Sequence, residues 1–129
     1  MTITLRLWGA TASRRFALYR PGTNNVSMDR ISMLAEILSQ NPADAFARYG
    51  LAMAYAAEGR EHDALAEFDT IIERTPDYVP AYQMSAQQLL KAGRGDDARV
   101  RLQAGLAAAG RTGNTHAASE MQGMLDELA

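Results

Sequence analysis

AFARYGLAMAYAAEGREHDALAEFDTIIERTPDY, running from Ala45 to Tyr78, supplies the step by which the rest of the chain is read. Pro42 precedes Pro76 by 34 residues, and Gly59-Arg60, Asp63-Ala64 and Phe68 return as Gly93-Arg94, Asp97-Ala98 and Leu102 after the same interval. A fixed period of this length marks stacked helical hairpins, because one hairpin buries its apolar face only against the next.

Leu51, Ala52, Tyr55, Gly59, Ala64, Phe68 and Pro76 stand at the characteristic offsets of the tetratricopeptide repeat, a family the stretch resembles; Ile71 takes a place where a small residue is usual. The resemblance implies an all-α fold, a solenoid of helical hairpins wound as an α–α superhelix. It also implies a protein-binding scaffold or adaptor and does not name the ligand. Ala52 and Ala64 would sit where the two helices of the hairpin approach closest, with Leu51, Tyr55 and Phe68 filling the space beside them. Pro76 would end the second helix, since proline cannot continue the hydrogen-bond ladder and drives Thr75 out of the helical region.

Working outward, Asp29 to Gln40 carries Ile31, Leu34, Ala35, Ile37 and Leu38 as an amphipathic stripe. One step of 34 places Leu34 on Phe68, Ile37 on Ile71 and Pro42 on Pro76, so residues 28–42 read as a half-repeat, a second helix without its first, with Ser27 or Asp29 as its cap. Residues 45–78 and 79–112 are then two full repeats, with helices expected at Asp44–Glu58, Glu61–Arg74, Tyr78–Ala92 and Asp96–Ala109. Gly59 suits the left-handed backbone that terminates a helix. The second repeat departs from the pattern at Ser85, Gly95, Gly105 and Gly110, and glycine inside a helix costs roughly 0.5–1 kcal/mol against alanine, so the second hairpin is expected to be the looser one. Arg111–Asn114 reads as a connection and residues 115–128 as a capping helix with a polar outer face, about six helices in all.

Residues 1–27 lack helical periodicity and read as a flexible basic extension, with a short strand-like start at Ile3–Trp8 or a true chain start at Met28. Arg6, Arg14, Arg15 and Arg20 are unaccompanied there by any acid, whereas residues 28–129 hold nine basic and fifteen acidic side chains, a balance of −6. An acidic body argues against a phosphate-backbone partner. Cysteine is absent, which excludes disulfides and thiolate metal sites and fits a reducing, cytoplasmic setting. No apolar run approaches the roughly 20 residues that cross a bilayer.

In the family, first helices line a concave groove. The groove positions are then Phe46, Tyr49, Met53, Ala56 and Ala57 in one repeat and Pro80, Gln83, Gln87, Leu90 and Lys91 in the next. Residues 46, 49 and 53 share one side of their helix, away from Leu51 and Tyr55, and Gln83 and Gln87 share a face at i, i+4. Aromatic and methionine side chains beside two amides suit a peptide, apolar anchors holding its side chains and amides its backbone. Gln83 and Gln87 are the more informative pair, being polar where packing does not ask for it. Family members that grip a C-terminal carboxylate place Lys and Asn where this chain has Tyr49 and Met53, and Asn where it has Met84, so that mode is not expected.

Enzyme chemistry finds no foothold. His62 and His116 are far apart, Glu67 and Glu73 fit a solvated face, and Gly93-Arg94-Gly95 lacks the Lys-Ser/Thr of a phosphate loop. The expectation is a non-enzymatic module without metal or cofactor that binds a peptide segment of a partner. The alternative is a homo-oligomer stacking through the half-repeat or through Met121 and Met124.

Overall fold

The structure, a computed structural model, describes residues 25–129, and the expectations placed on residues 1–24 lie outside them. Six helices make up the described residues: α1 Asn25–Gln40, α2 Ala45–Ala57, α3 Glu61–Arg74, α4 Val79–Lys91, α5 Gly95–Thr112 and α6 Thr115–Leu128. Each packs on its neighbour in sequence, and α4 also touches α6. This is the expected solenoid of helical hairpins.

The turns within the hairpins follow from glycine. Gly59 and Gly93 have φ of 75° and 74°, a left-handed conformation in which a Cβ is strained. There the amides of Gly59 and Arg60 turn back to the carbonyls of Ala56 and Tyr55 at 3.1 and 2.9 Å, and one period on Gly93 and Arg94 do the same to Leu90 and Leu89 at 3.0 and 2.8 Å. These paired bonds satisfy carbonyls that a helix end otherwise leaves open. On the far side of each turn Arg60 and Arg94 donate to Asp63 and Asp97, at 2.8 and 2.9 Å.

Two boundaries differ from expectation. α1 starts at Asn25, so residues 25–27 are helical and neither Ser27 nor Asp29 stands at its cap. α5 continues through Arg111 and Thr112 to a left-handed Gly113. The reason is Gly110, which stands where Pro76 ends α3; glycine keeps the backbone amide that proline lacks, and the helix runs on. α5 therefore spans 18 residues against 14 for α3, and the loop after it shrinks to Gly113-Asn114.

Longer by four helical residues and shorter by two in the loop, the second repeat makes a step of 36 rather than 34. With that step α6 comes into register as a third first-type helix. Ala47, Ala81 and Ala117 are equivalent and all buried, as are Leu51, Ser85 and Met121. Asp44 and Asn114 cap α2 and α6 alike, accepting from the amides of Ala47 at 2.9 Å and Ala117 at 3.1 Å.

Ala52, Ala64, Phe68, Ile71 and Ala81 form the core at the centre, with Ala52, Ala64 and Phe68 fully buried. A smaller cluster joins Ile31 and Leu38 of α1 to Ala47, Leu51 and Ala54 of α2. The most extensive cluster lies in the second hairpin and α6, around Tyr82, Leu89, Leu102 and Met121. Gly105 is part of the reason. A Cβ built there would stand 2.6 Å from Met121 Sδ and 2.7 Å from Tyr82 Cβ, so its missing side chain is what lets α4, α5 and α6 meet. Met121, expected as an oligomer surface, is instead fully buried in this contact.

Candidate functional site

The first helices α2, α4 and α6 present equivalent residues to one face. Phe46, Pro80 and His116 are all exposed, and Phe46 retains 79% of its accessible surface. Tyr49, Gln83 and Ser119 form the next row, Met53, Gln87 and Gly123 the third, and Ala57, Lys91 and Glu127 the last, with accessibility in every row. Alternation within each helix produces this: its buried positions fall on one side, the row positions between them.

The predicted site residues divide by what they touch. Tyr49 is half-buried, its ring centroid 6.0 Å from that of Phe68 and 5.7 Å from that of Tyr78, so it belongs partly to the hairpin contact. Burial pushes the hydroxyl pKa of Tyr49 up; that of Tyr78 rises for the same reason, with Tyr49 and Asp44 adding to it. Met53 is packed against the central core and Leu90 against the C-terminal one, each leaving part of its side chain accessible. Phe46 and Lys91 are exposed, and Gln87 is half-exposed with no hydrogen bond among the described residues.

Gln83 behaves otherwise than its polarity suggests. Its Nε2 donates to Oε2 of Glu120 at 2.6 Å, tying α4 to α6 across the face. Gln83 therefore has a structural partner, which corrects the reading that packing has no use for it. His116 reaches the other oxygen, Nε2 to Oε1 at 2.7 Å. The Gln83 amide, then the nearby His116, hold the Glu120 carboxyl below its ordinary pKa of 4.5. Sequence reasoning placed α6 as a cap and so missed His116, Ser119, Glu120 and Glu127 on this face. Counting from Ala81 to Ala117 instead of by a rigid 34 residues finds them.

Depressions of about 200 and 360 Å³ open between α3 and α5, on the side of the second helices. Asp69, Val100 and Arg101 line both, and the Arg101 to Asp69 ion pair at 2.7 Å spans them. Neither brings a nucleophile to a base, and no group of three His, Asp or Glu among the described residues could hold a metal ion. Glu67, a carboxylate open to a catalytic reading, instead pairs with Arg48 at 2.8 Å. No helix among the described residues is long and apolar enough to cross a membrane.

Against known proteins, a tetratricopeptide repeat family model matches residues 31–89 and again 57–119. A crystal structure of a tetratricopeptide repeat domain protein from Salinibacter ruber is 30% identical, with a TM-score of 0.62 over 66% of this chain and 94% of that one. The TPR2B domain of yeast Sti1, solved in complex with an Hsp70 peptide, gives 0.72 at 21% identity over 81% of this chain and 86% of that one. PcrH, solved with the chaperone-binding region of PopD, gives 0.74 at 16% identity over 99% of this chain and 92% of that one. At such identities the last two speak to the fold. A comparison with curated proteins gives no significant match.

Proposed function

The chain belongs to the tetratricopeptide repeat family, commonly protein-interaction modules without enzymatic activity, and on that premise we propose that the face formed by α2, α4 and α6 binds a peptide segment of a partner protein. The observation that carries this reading is Phe46. A phenylalanine left 79% exposed shares the face with partly accessible Met53 and, in the same row as Met53, with Gln87, so an apolar anchor and an amide side chain that no described residue engages stand two rows apart. Apolar surface of this kind, rimmed by polar groups, suits association. Two similar folds, TPR2B and PcrH, were each solved with a peptide or a segment of another protein, which adds support.

The peptide's apolar side chain would pack on Phe46 and Met53, and Gln87 would serve its backbone, donating to a carbonyl and accepting from an amide. Lys91 lies at one end of the face and Glu120 and Glu127 on α6, so a segment of mixed charge is accommodated. The test is capture of partners from native lysate by wild type and by Phe46→Ala/Gln87→Ala. Both residues are accessible, so the fold is retained and circular dichroism stays native. Partners held by wild type and lost by the variant support the face; undiminished capture by the folded variant rejects it.

Self-association is the second reading, and burial of Met121 removes one of the surfaces it needed. What favours it is the outer side of α1, where Met33 is 59% and Ile37 40% exposed.

A further inference from the structure

The last row of the face, read from α2 to α6, is Ala57, Lys91 and Glu127: a neutral side chain, a cation and an anion. Lys91 and Glu127 are both exposed, and among the described residues neither is joined to the other or to any other charged group. Opposite charges are left apart here.

Elsewhere the chain pairs them. Each of the seven arginines from residue 45 onward donates to a carboxylate or to a backbone carbonyl. Two of these bonds link adjacent repeats, Arg101 to Asp69 at 2.7 Å and Arg111 to Asp77 at 2.8 Å. On α6, Glu120 is held by Gln83 and His116, and Asp126 accepts from Gln122 at 3.0 Å. Glu127 is the carboxylate of α6 that remains, and Lys91, the single lysine of the chain, is the cation that remains. The helix dipole favours Lys91 at the end of α4 but opposes Glu127 in the last turn of α6, which holds no basic residue. A local cost without a partner inside the chain is what functional positions leave in a sequence.

We infer that the bound segment presents three kinds of side chain in a fixed order across this face: an apolar one toward α2, an Asp or Glu over Lys91 on α4, and a Lys or Arg over Glu127 on α6. The inference rests on the peptide-binding reading above and adds to it the charge pattern of the partner.

Charge complementarity carries it. A partner that met Arg101 or Asp69 would first have to part their 2.7 Å bond, whereas Lys91 and Glu127 give up only water. The ammonium of Lys91, a compact charge on a flexible stem, turns freely to meet a carboxylate, while the planar forks of the arginines are fixed in the chain's own contacts. The reverse order would set a cation on Lys91 and an anion on Glu127, and like charges brought together exclude a wrong partner. Ala57, Met53 and Phe46 bring no charge to the α2 side, so the two charged contacts fall on α4 and α6 and the apolar one on α2.

A random-peptide library displayed on phage and selected on the full chain tests the order. Peptides retained by wild type and lost on Phe46→Ala are those that use the face, and in them an acid should stand between the apolar and the basic residue. Lys91→Glu/Glu127→Lys exchanges the two charges at constant net charge and changes only exposed side chains, so circular dichroism stays native; it should select a base between the apolar residue and an acid. Lys91→Met and Glu127→Gln, made singly, should each weaken a selected peptide by up to about fivefold, the scale of an exposed ion pair. Phe46-dependent peptides without this order, or with the same order on wild type and on the exchanged variant, would overturn the inference and leave the peptide-binding reading standing. A selection that yields no Phe46-dependent peptide would remove both.

Discussion

Tyr82 donates its phenolic hydroxyl to the backbone carbonyl of Pro76 at 2.6 Å, fastening α4 to the residue that ends α3. One period earlier Arg48 holds Pro42 in the same way at 3.0 Å, while its other nitrogen pairs with Glu67. Each proline carbonyl takes a second donor, Arg74 at 3.2 Å on Pro42 and Arg111 at 3.3 Å on Pro76. The junctions between repeats are thus tied by side chains to the carbonyls that the break in the helix exposes.

Tyr82→Phe isolates this tie, because it removes the hydroxyl and leaves the buried ring. A neutral hydrogen bond contributes about 1 kcal/mol net, and with the longer Arg111 bond remaining the loss should stay near that value. We expect a melting temperature about 5 °C lower, with an unchanged far-ultraviolet spectrum. An unaltered melt would mean that Arg111 alone satisfies the carbonyl.

Gly105 and Gly110 stand in the same helix and respond oppositely to alanine. At Gly105 the added methyl meets Met121 and Tyr82 below 3 Å, so overpacking should cost about 1–3 kcal/mol. At Gly110 nothing lies within 4 Å and the backbone is helical, so alanine should add about 0.5–1 kcal/mol through helix propensity. Denaturant midpoints of the two variants, falling on either side of wild type, check the pair. A stabilising Gly105→Ala would restore the expectation that this glycine is a weakness.

That contrast shows where the sequence was informative. The hairpins α2–α3 and α4–α5 were legible because Gly59, Gly93 and Pro76 act locally, through backbone conformations and a missing amide that depend on no distant residue. Gly105 was not, because its penalty for helix formation is local while its packing role depends on Met121, 16 residues on. α6 was legible as a helix but not as a first helix, since Gly110 lets α5 overrun and moves the register by two residues. On the candidate face Phe46 and Gln87 kept the accessibility that spacing implied. Gln83 acquired its partner from 37 residues away, beyond the reach of any periodic rule.

Ser85 replaces the leucine found at position 51 and lies fully buried with its hydroxyl unpaired. A buried hydroxyl without a partner carries a desolvation penalty of about 1–3 kcal/mol. Ser85→Ala removes it and leaves a void of a single atom, so we expect a gain of about 1 kcal/mol in equilibrium unfolding. A loss instead would place an ordered water on Oγ.

The link between Gln83 and Glu120 makes a prediction in pH. Gln83 donates to the ionised carboxylate, so the folded pKa of Glu120 lies below the unfolded value, near 4.5. A depressed acid contributes stability that is fully present above that unfolded value and is lost as the pH falls through the folded one. Gln83→Leu removes the largest cause and keeps the size of the side chain. The Glu120 carboxyl followed by NMR should then titrate nearer 4.5, and the stability difference between wild type and variant should close as the solution is acidified below that range. His116→Gln, which removes the His116 charge beside the carboxylate, should move the titration in the same direction. Because Gln83 and His116 sit on rows of the face and both bind Glu120, the same acid range should loosen the α6 side of the proposed groove while Phe46 and Met53 on α2 stay as they are. An unmoved Glu120 titration in Gln83→Leu would show that the two helices are held together without this bond.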